Sequence, residues 1–325
     1  MVEQLLVGLG LTLIFTPALI FMSALLKLYE YPNERRINSH PVPTAGGLGL
    51  YAAFFMTAYW YRHPNLLAYL VGATIIVLIG LADDYRGGLS AGRKFFGQIA
   101  AVTAFLALSP SPNYVIAAVF MVSVINITNF IDGLDGLAGG IVVIASAALL
   151  LWTHTFGYPE ISGLLMILIG TCFGFLAFNF HPAKIFLGDT GAMFIGFIFA
   201  ALAHDSMLQA DMAFNLPLLV LILAVPTFDT FCAIVRRIQK GVPFYQADCQ
   251  HFHHCLLDMG LSQRQVALIA YMLTLTASTL ALFLAKFQNW NLFLVLPVVA
   301  AVFLYGARRI GMIKPFAVKS ERRVL

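Results

Sequence analysis

Apolar runs of about 20 residues recur along almost the whole chain, and the charged residues fall between them. A helix rises about 1.5 Å per residue, so a run of that length crosses the hydrocarbon layer of a bilayer. Backbone N–H and C=O groups find no water there, which leaves helices as the crossing elements. The pattern therefore predicts an all-α, polytopic integral membrane protein. Composition agrees: 10% of the residues are charged and 60% are hydrophobic, against roughly 25% charged in an ordinary soluble domain.

The runs resolve into eleven expected spans, at about 5–26, 46–61, 66–82, 95–109, 113–128, 137–153, 161–178, 190–205, 215–235, 265–285 and 290–307. The segment before the first, MVEQ, has no basic residue, so that run is expected as a retained helix and not a signal peptide. No soluble domain interrupts the series, so residues 1–325 are expected to form one integral domain. With the N-terminus outside, every Lys and Arg except Arg62 and Lys286 falls in an inner loop or the C-terminal tail. That asymmetry sets the orientation, with the C-terminus cytoplasmic. Four cysteines form no CxxC pair and are expected to be reduced.

The acids cluster as well. Asp83, Asp84, Asp132, Asp135, Asp189, Asp229 and Asp248 all fall on the inner side or at inner helix ends. Positive-inside sorting acts weakly on acids, whereas ionisable groups at membrane depth are costly and read as functional. In "LADDYRGGLSAGRKFF" the Asp83–Asp84 pair faces Arg93 and Lys94 across a Gly-rich loop, a set suited to an anionic phosphate and its metal. The bland alternative for the two cations is rim anchoring. Asn126, Asn129, Asp132 and Asp135 recur every three residues and would share one face of a helix, unless the glycines among them break it. Asp189, in "FLGDTG", is either a helix N-cap or a metal-ligating carboxylate at a helix N-terminus that also suits phosphate. His251, His253 and His254 have poor spacing for zinc and fit donors to a pyrophosphate or sugar better. Oxygen ligands of this kind favour Mg²⁺, with Mn²⁺ as the alternative.

Five of these segments, in order, carry a resemblance. "HPVPTAGG", "LADDYRGGLS", "NITNFIDGLDGL", "NFHPAKIFLGDTG" and "HFHH" are similar to the motifs of the polyprenyl-phosphate N-acetylhexosamine-1-phosphate transferases, over residues 30–270. Within that family the tail from "PTFDT" to "HFHH" most resembles the undecaprenyl-phosphate N-acetylglucosaminyl 1-phosphate transferases. It resembles less the peptidoglycan branch, which carries three consecutive histidines. The resemblance implies attack of undecaprenyl phosphate on the β-phosphorus of a UDP-N-acetylhexosamine, releasing UMP, at the cytoplasmic face of a bacterial inner membrane. It implies Mg²⁺ on Asp189 with Asn129 as co-ligand, Asp135, Asn179 and Phe186 in the uridine pocket, and Asp83 and Lys94 at the acceptor phosphate. Cys249 stands where many relatives have an arginine, with Arg264 or Lys240 as the available substitutes.

Membrane lipids are expected partners and nucleic acid is not; a homodimer is left open. The same chemistry on another UDP-N-acetyl sugar or on UDP-MurNAc-pentapeptide is an alternative. So, from another class, is a cation-coupled transporter, although its acids would sit near the midplane in repeated halves.

Overall fold

The computed structural model describes residues 1–32, 38, 40–209, 212–243, 250–286 and 291–313. In chain order the elements are α1 (Val2–Leu26), β1 (Tyr29–Glu30), β2 (Val42–Pro43), α2 (Gly46–Trp60), α3 (Leu66–Arg86), α4 (Ala91–Leu108), α5 (Tyr114–Ile131), α6 (Leu137–Thr155), α7 (Pro159–Asn179), α8 (Gly188–Gln209), α9 (Met212–Ile222), α10 (Ala224–Gln239), α11 (Phe252–Asp258), α12 (Gln263–Ala285) and α13 (Asn291–Arg309). Among the described residues the protein is all-helical apart from one two-stranded hairpin. Among the described residues, seven helices are long and apolar enough to cross a membrane, or eight if one bent pair counts as a single span.

A helix covers each predicted apolar run, with one departure. The ninth run breaks at Leu223 into α9 and α10, which are bent by 86° to each other. Pro226, in the first turn of α10, has no N–H to give to Ile222, so the hydrogen-bond ladder cannot continue through this point. At 15 residues, α2 is shorter than a full crossing requires.

The hub of the fold is α8, which packs against α2, α3, α5, α6, α7 and α9. It is apolar all round, and residues 192–203 are buried throughout, as a helix without a polar face must be. Two glycines let other helices reach its first turn. A Cβ on Gly47 of α2 would lie 2.3 Å from the Gly191 nitrogen, and one on Gly80 of α3 would lie 2.4 Å from the Thr190 Cα. Small residues at such crossings allow backbone to meet backbone. The hairpin pairs Tyr29 with Pro43 and Glu30 with Val42. Its second strand and the start of α2 then tie to the segment before α8: Phe186 N donates to Pro43 O (2.8 Å) and Gly47 N to Leu187 O (3.1 Å).

The first turn of α8 is thus held by α2, α3 and the hairpin. At the other end of α8, Asp205 accepts hydrogen bonds from Tyr69 Oη and Ser109 Oγ and pairs with His204. That acid is separated from the Asp189 group by the length of the helix, as the charge pattern predicts.

Candidate active site

Asp83 and Asp84 occupy the last turn of α3 and divide their work. Asp84 accepts from the Asp189 N–H (2.9 Å), the Thr190 N–H (3.1 Å) and the Thr190 hydroxyl (2.6 Å). It therefore satisfies donors that the start of α8 would otherwise leave open. Sequence spacing offered Asp189 as its own cap; the cap comes instead from α3. Gly188 permits the approach: its φ is +67°, and a Cβ there would fall 2.6 Å from Asp84 Oδ2.

Asp83 accepts from the Leu89 N–H through one oxygen. Its other oxygen meets Lys94 Nζ at 2.8 Å. The same ammonium lies 3.0 Å from Asp189 Oδ1, which also accepts from Asn129 Nδ2 at 2.7 Å. Four helices, α3, α4, α5 and α8, thus converge on one carboxylate.

The segment 126–135 is not one helical face. Helix α5 ends at Ile131, Asp132 caps it, and Gly136 takes a φ of +75°. The glycines turn the chain, so Asn126 and Asn129 stay on α5 while Asp132 and Asp135 sit on the turn. Asp135 accepts from the Ala183 N–H (3.0 Å) and pairs with His181 Nδ1 (2.8 Å). Asn179, buried at the end of α7, accepts from Gly136 N–H (3.1 Å) and donates to Ile185 O (2.9 Å). Its amide joins the two loops that carry Asp135 and Phe186. From the other side, Tyr271 of α12 donates to Gly136 O (2.6 Å).

Asp132 is half-buried and has no side-chain hydrogen bond among the described residues. Burial at the foot of the cleft, followed by the charges of Asp189, Asp84 and Asp135, pushes its pKa well above the ordinary carboxylate range.

Asp83, Asp84, Lys94, Asn129, Asp132, Asp135, Asn179, Phe186, Asp189 and His254 all line one cavity of about 830 Å³. His251 and His253 are buried behind its wall. Asp229 of α10 holds His251, accepting from the Phe252 N–H (2.8 Å) and meeting His251 Nδ1 (2.8 Å). His253 stacks parallel to His251, with ring centroids 5.9 Å apart. Its ring packs on Gly133, where a Cβ would lie 2.3 Å from Nε2. Neither ring nitrogen of His253 has a partner among the described residues.

Burial and the neighbouring His254 push His253 down to about 3, while in the unfolded chain it takes a proton near 6.5. The unfolded state binds more protons over that window, so folding stability falls as the pH drops below about 6.5. His253→Leu is expected to flatten this acid loss, by up to about 1.4 kcal/mol per pH unit. Melting temperatures in detergent between pH 7 and pH 5 measure it, and parallel slopes for the two proteins would refute it.

The sequence reading did not single out His181, Thr190, Tyr271 or the hairpin residues Tyr29, Glu30 and Thr44, which also line or shape the site. His181 lies inside a motif that was read, and its proximity to Asp135 is a product of tertiary contact alone. Cys249 lies outside the described residues. Arg264 donates through Nε to His181 O (3.0 Å) at the rim, and Lys240, exposed at the end of α10, makes no bond to the cleft among the described residues.

A divalent cation fits this donor set. Asp83, Asp84 and Asp189 each offer a carboxylate oxygen, and these oxygens lie within 4.8 Å of one another. Hard oxygen donors at such spacing suit Mg²⁺ or Mn²⁺.

Fold and site together define a multi-pass membrane protein with an acidic, lysine-bearing cleft at one rim of its helices. The model describing "Glycosyl transferase family 4" matches residues 66–207. A Bacillus subtilis strain 168 protein named "Probable undecaprenyl-phosphate N-acetylglucosaminyl 1-phosphate transferase" is 31% identical over 315 residues, 90% of this chain and 88% of the relative. The decaprenyl-phosphate N-acetylglucosaminephosphotransferase of Mycobacterium leprae is 33% identical, over 83% of this chain and 81% of its own length. The undecaprenyl-phosphate alpha-N-acetylglucosaminyl 1-phosphate transferase of Escherichia coli K12 is 26% identical, over 91% and 88%. The chain belongs to glycosyl transferase family 4.

Proposed function

We propose that the protein transfers N-acetylglucosamine 1-phosphate from UDP-N-acetylglucosamine to undecaprenyl phosphate, releasing UMP and leaving a lipid-linked sugar pyrophosphate. The observation that carries the reading is the convergence of Asp83, Lys94, Asn129 and Asp189 on one side of the cavity that also holds Asp135, Asn179 and Phe186. One end suits phosphates and a cation; the other suits a nucleoside. The names of the relatives supply the acceptor and donor classes.

An oxygen of the acceptor phosphate attacks the β-phosphorus, and the bond from that phosphorus to the UMP oxygen breaks. The acceptor, a phosphate monoester with its second pKa near 6, is already largely a dianion at pH 7. No strong base is needed, and the work left is alignment and neutralisation of charge. Lys94 binds the acceptor phosphate, and Asp83 orients Lys94 through the 2.8 Å ion pair. Asp189 and Asn129 would hold Mg²⁺, with Mn²⁺ as the substitute; the ion supplies Lewis-acid neutralisation of the donor diphosphate. Asp84 keeps Asp189 in place by capping α8. Asp135, Asn179 and Phe186 bind the uridine, and His254, which lines the same cavity, contacts the diphosphate and sugar. Arg264, at the rim, stands in for the arginine that Cys249 replaces.

In this reading α9 and α10 count as one broken span and α2 as a short one, giving eleven with the N-terminus outside and the cleft at the cytoplasmic face of a bacterial inner membrane. The lysine and arginine distribution supports that orientation.

Purified protein given UDP-N-acetylglucosamine and undecaprenyl phosphate is expected to release UMP. Chelation by EDTA should stop release and added Mg²⁺ restore it. Absence of UMP, or release unaffected by EDTA, would overturn the proposal. Running UDP-N-acetylgalactosamine and UDP-MurNAc-pentapeptide beside it decides the donor.

A further inference from the structure

A second polar layer lies one helical turn deeper than the acidic cluster. Lys94, Asn129 and Asp189 meet from α4, α5 and α8. Gln98, Asn126 and Met193 stand one turn further along the same three helices, and they also meet. Asn126 Nδ2 donates to Gln98 Oε1 at 2.6 Å, and Gln98 Nε2 donates back to Asn126 Oδ1 at 3.3 Å. The second N–H of Gln98 reaches Met193 Sδ at 3.5 Å, and that of Asn126 reaches Val122 O at 2.8 Å. Every polar atom of the two side-chain amides is therefore engaged. Gln98 and Met193 are almost wholly buried.

Packing alone does not ask for such a pair. Where two hydrogen-bonded partners are both replaced by apolar groups of similar shape, stability is often unchanged. What an amide pair adds over apolar contact is a single register, as a buried polar residue does in a coiled coil. Here register matters one turn away. Lys94 and Asn129 both bind Asp189 Oδ1, at 3.0 Å and 2.7 Å. A slide or rotation of α4 against α5 would take one of them off that oxygen.

We propose that Gln98 and Asn126 are positioning residues for the transfer reaction: their reciprocal amide pair fixes α4 against α5 and so keeps Lys94 and Asn129 together on Asp189. The inference rests on the transferase reading above, because the groups being positioned are those assigned to the phosphates.

Four variants test it: Gln98→Leu, Asn126→Leu, the double Leu variant, and the exchange Gln98→Asn with Asn126→Gln. Each is assayed for UMP release and for melting temperature in detergent. The single variants are expected to lose at least ten-fold in kcat and to melt lower, each with one amide stranded. The double Leu variant is expected to regain the wild-type melting temperature yet stay at least ten-fold down in kcat, with KM for the UDP-sugar within three-fold. The exchange, which keeps two facing amides, is expected to recover kcat to at least five-fold above either single variant. Wild-type kcat in the double Leu variant would overturn the proposal, as would an exchange variant no better than the singles. If the double variant does not fold, the exchange alone decides in the same terms. Failure of the transferase reading looks different, since the wild-type protein would then release no UMP at all.

Discussion

Asp189→Asn is expected to lower kcat about a thousand-fold, the scale seen when a group that stabilises transition-state charge is removed from a closed site. The substitution keeps the shape and removes the charge on which the site is organised. Asp189 Oδ1 receives both Lys94 and Asn129. An amide nitrogen in that place would face an ammonium or another amide donor, and an amide oxygen would attract them only weakly. Lys94 would then turn to Asp83 alone, and the proposed cation would lose the one carboxylate assigned to hold it. The fold should survive, because the start of α8 is capped by Asp84 and not by the Asp189 side chain. UMP release and a detergent melting curve on the same preparation measure both parts. A rate within ten-fold of wild type would remove Asp189 from the reaction, and an unfolded variant would show that it holds the helix.

Gly47→Val and Gly80→Val are expected to be nearly as damaging, by a different route. Each added side chain would start inside backbone that belongs to α8, 2.3 Å from the Gly191 nitrogen and 2.4 Å from the Thr190 Cα. A neighbouring side chain could rotate away; backbone cannot, so α2 or α3 must move from α8. Overpacking of this kind costs about 3 kcal/mol. The same displacement shifts Asp84 and Asp189 relative to each other, and a misplacement of about 1 Å costs roughly a hundred-fold in rate. Both variants should therefore melt lower and turn over at least about a hundred-fold more slowly. The comparison is Gly87→Val, where a Cβ meets nothing within 4 Å. Gly87 has a φ of +69° and so carries backbone strain, but no steric collision. Gly80→Val with a rate like that of Gly87→Val would show that the crossing can open without disturbing the site.

Much of this was legible in the sequence because lipid leaves few choices. Apolar length gives helix, and the helices lie where the runs lie. Charge pattern separated Asp205 from Asp83 and Asp189, and the structure has them at opposite ends of α8. What the sequence could not give was the identity of partners. Asp83 and Asp84 are adjacent letters with equal chemistry, yet one faces Lys94 and the other caps a helix more than 100 residues away. His251, His253 and His254 look like one cluster, yet only His254 lines the cavity; Asp229 and Gly133 draw the other two behind its wall. The break at Leu223 was also missed, because apolar periodicity continues across it while Pro226 interrupts the hydrogen bonds. The choices of partner depend on contacts between distant segments, which spacing along the chain does not encode; the break does not, since Pro226 marks it locally.

The ammonium of Lys94, set between Asp83 and Asp189, has a consequence for how the chain reaches its working state. Three carboxylates gathered at the edge of a bilayer would repel one another during insertion, when no nucleotide is bound. A built-in counter-ion offsets part of that repulsion, so the bundle is expected to assemble without the proposed cation. Chelation is then expected to stop UMP release while leaving the melting temperature in detergent unchanged, and a drop in melting temperature with EDTA would show that the cation also holds the fold.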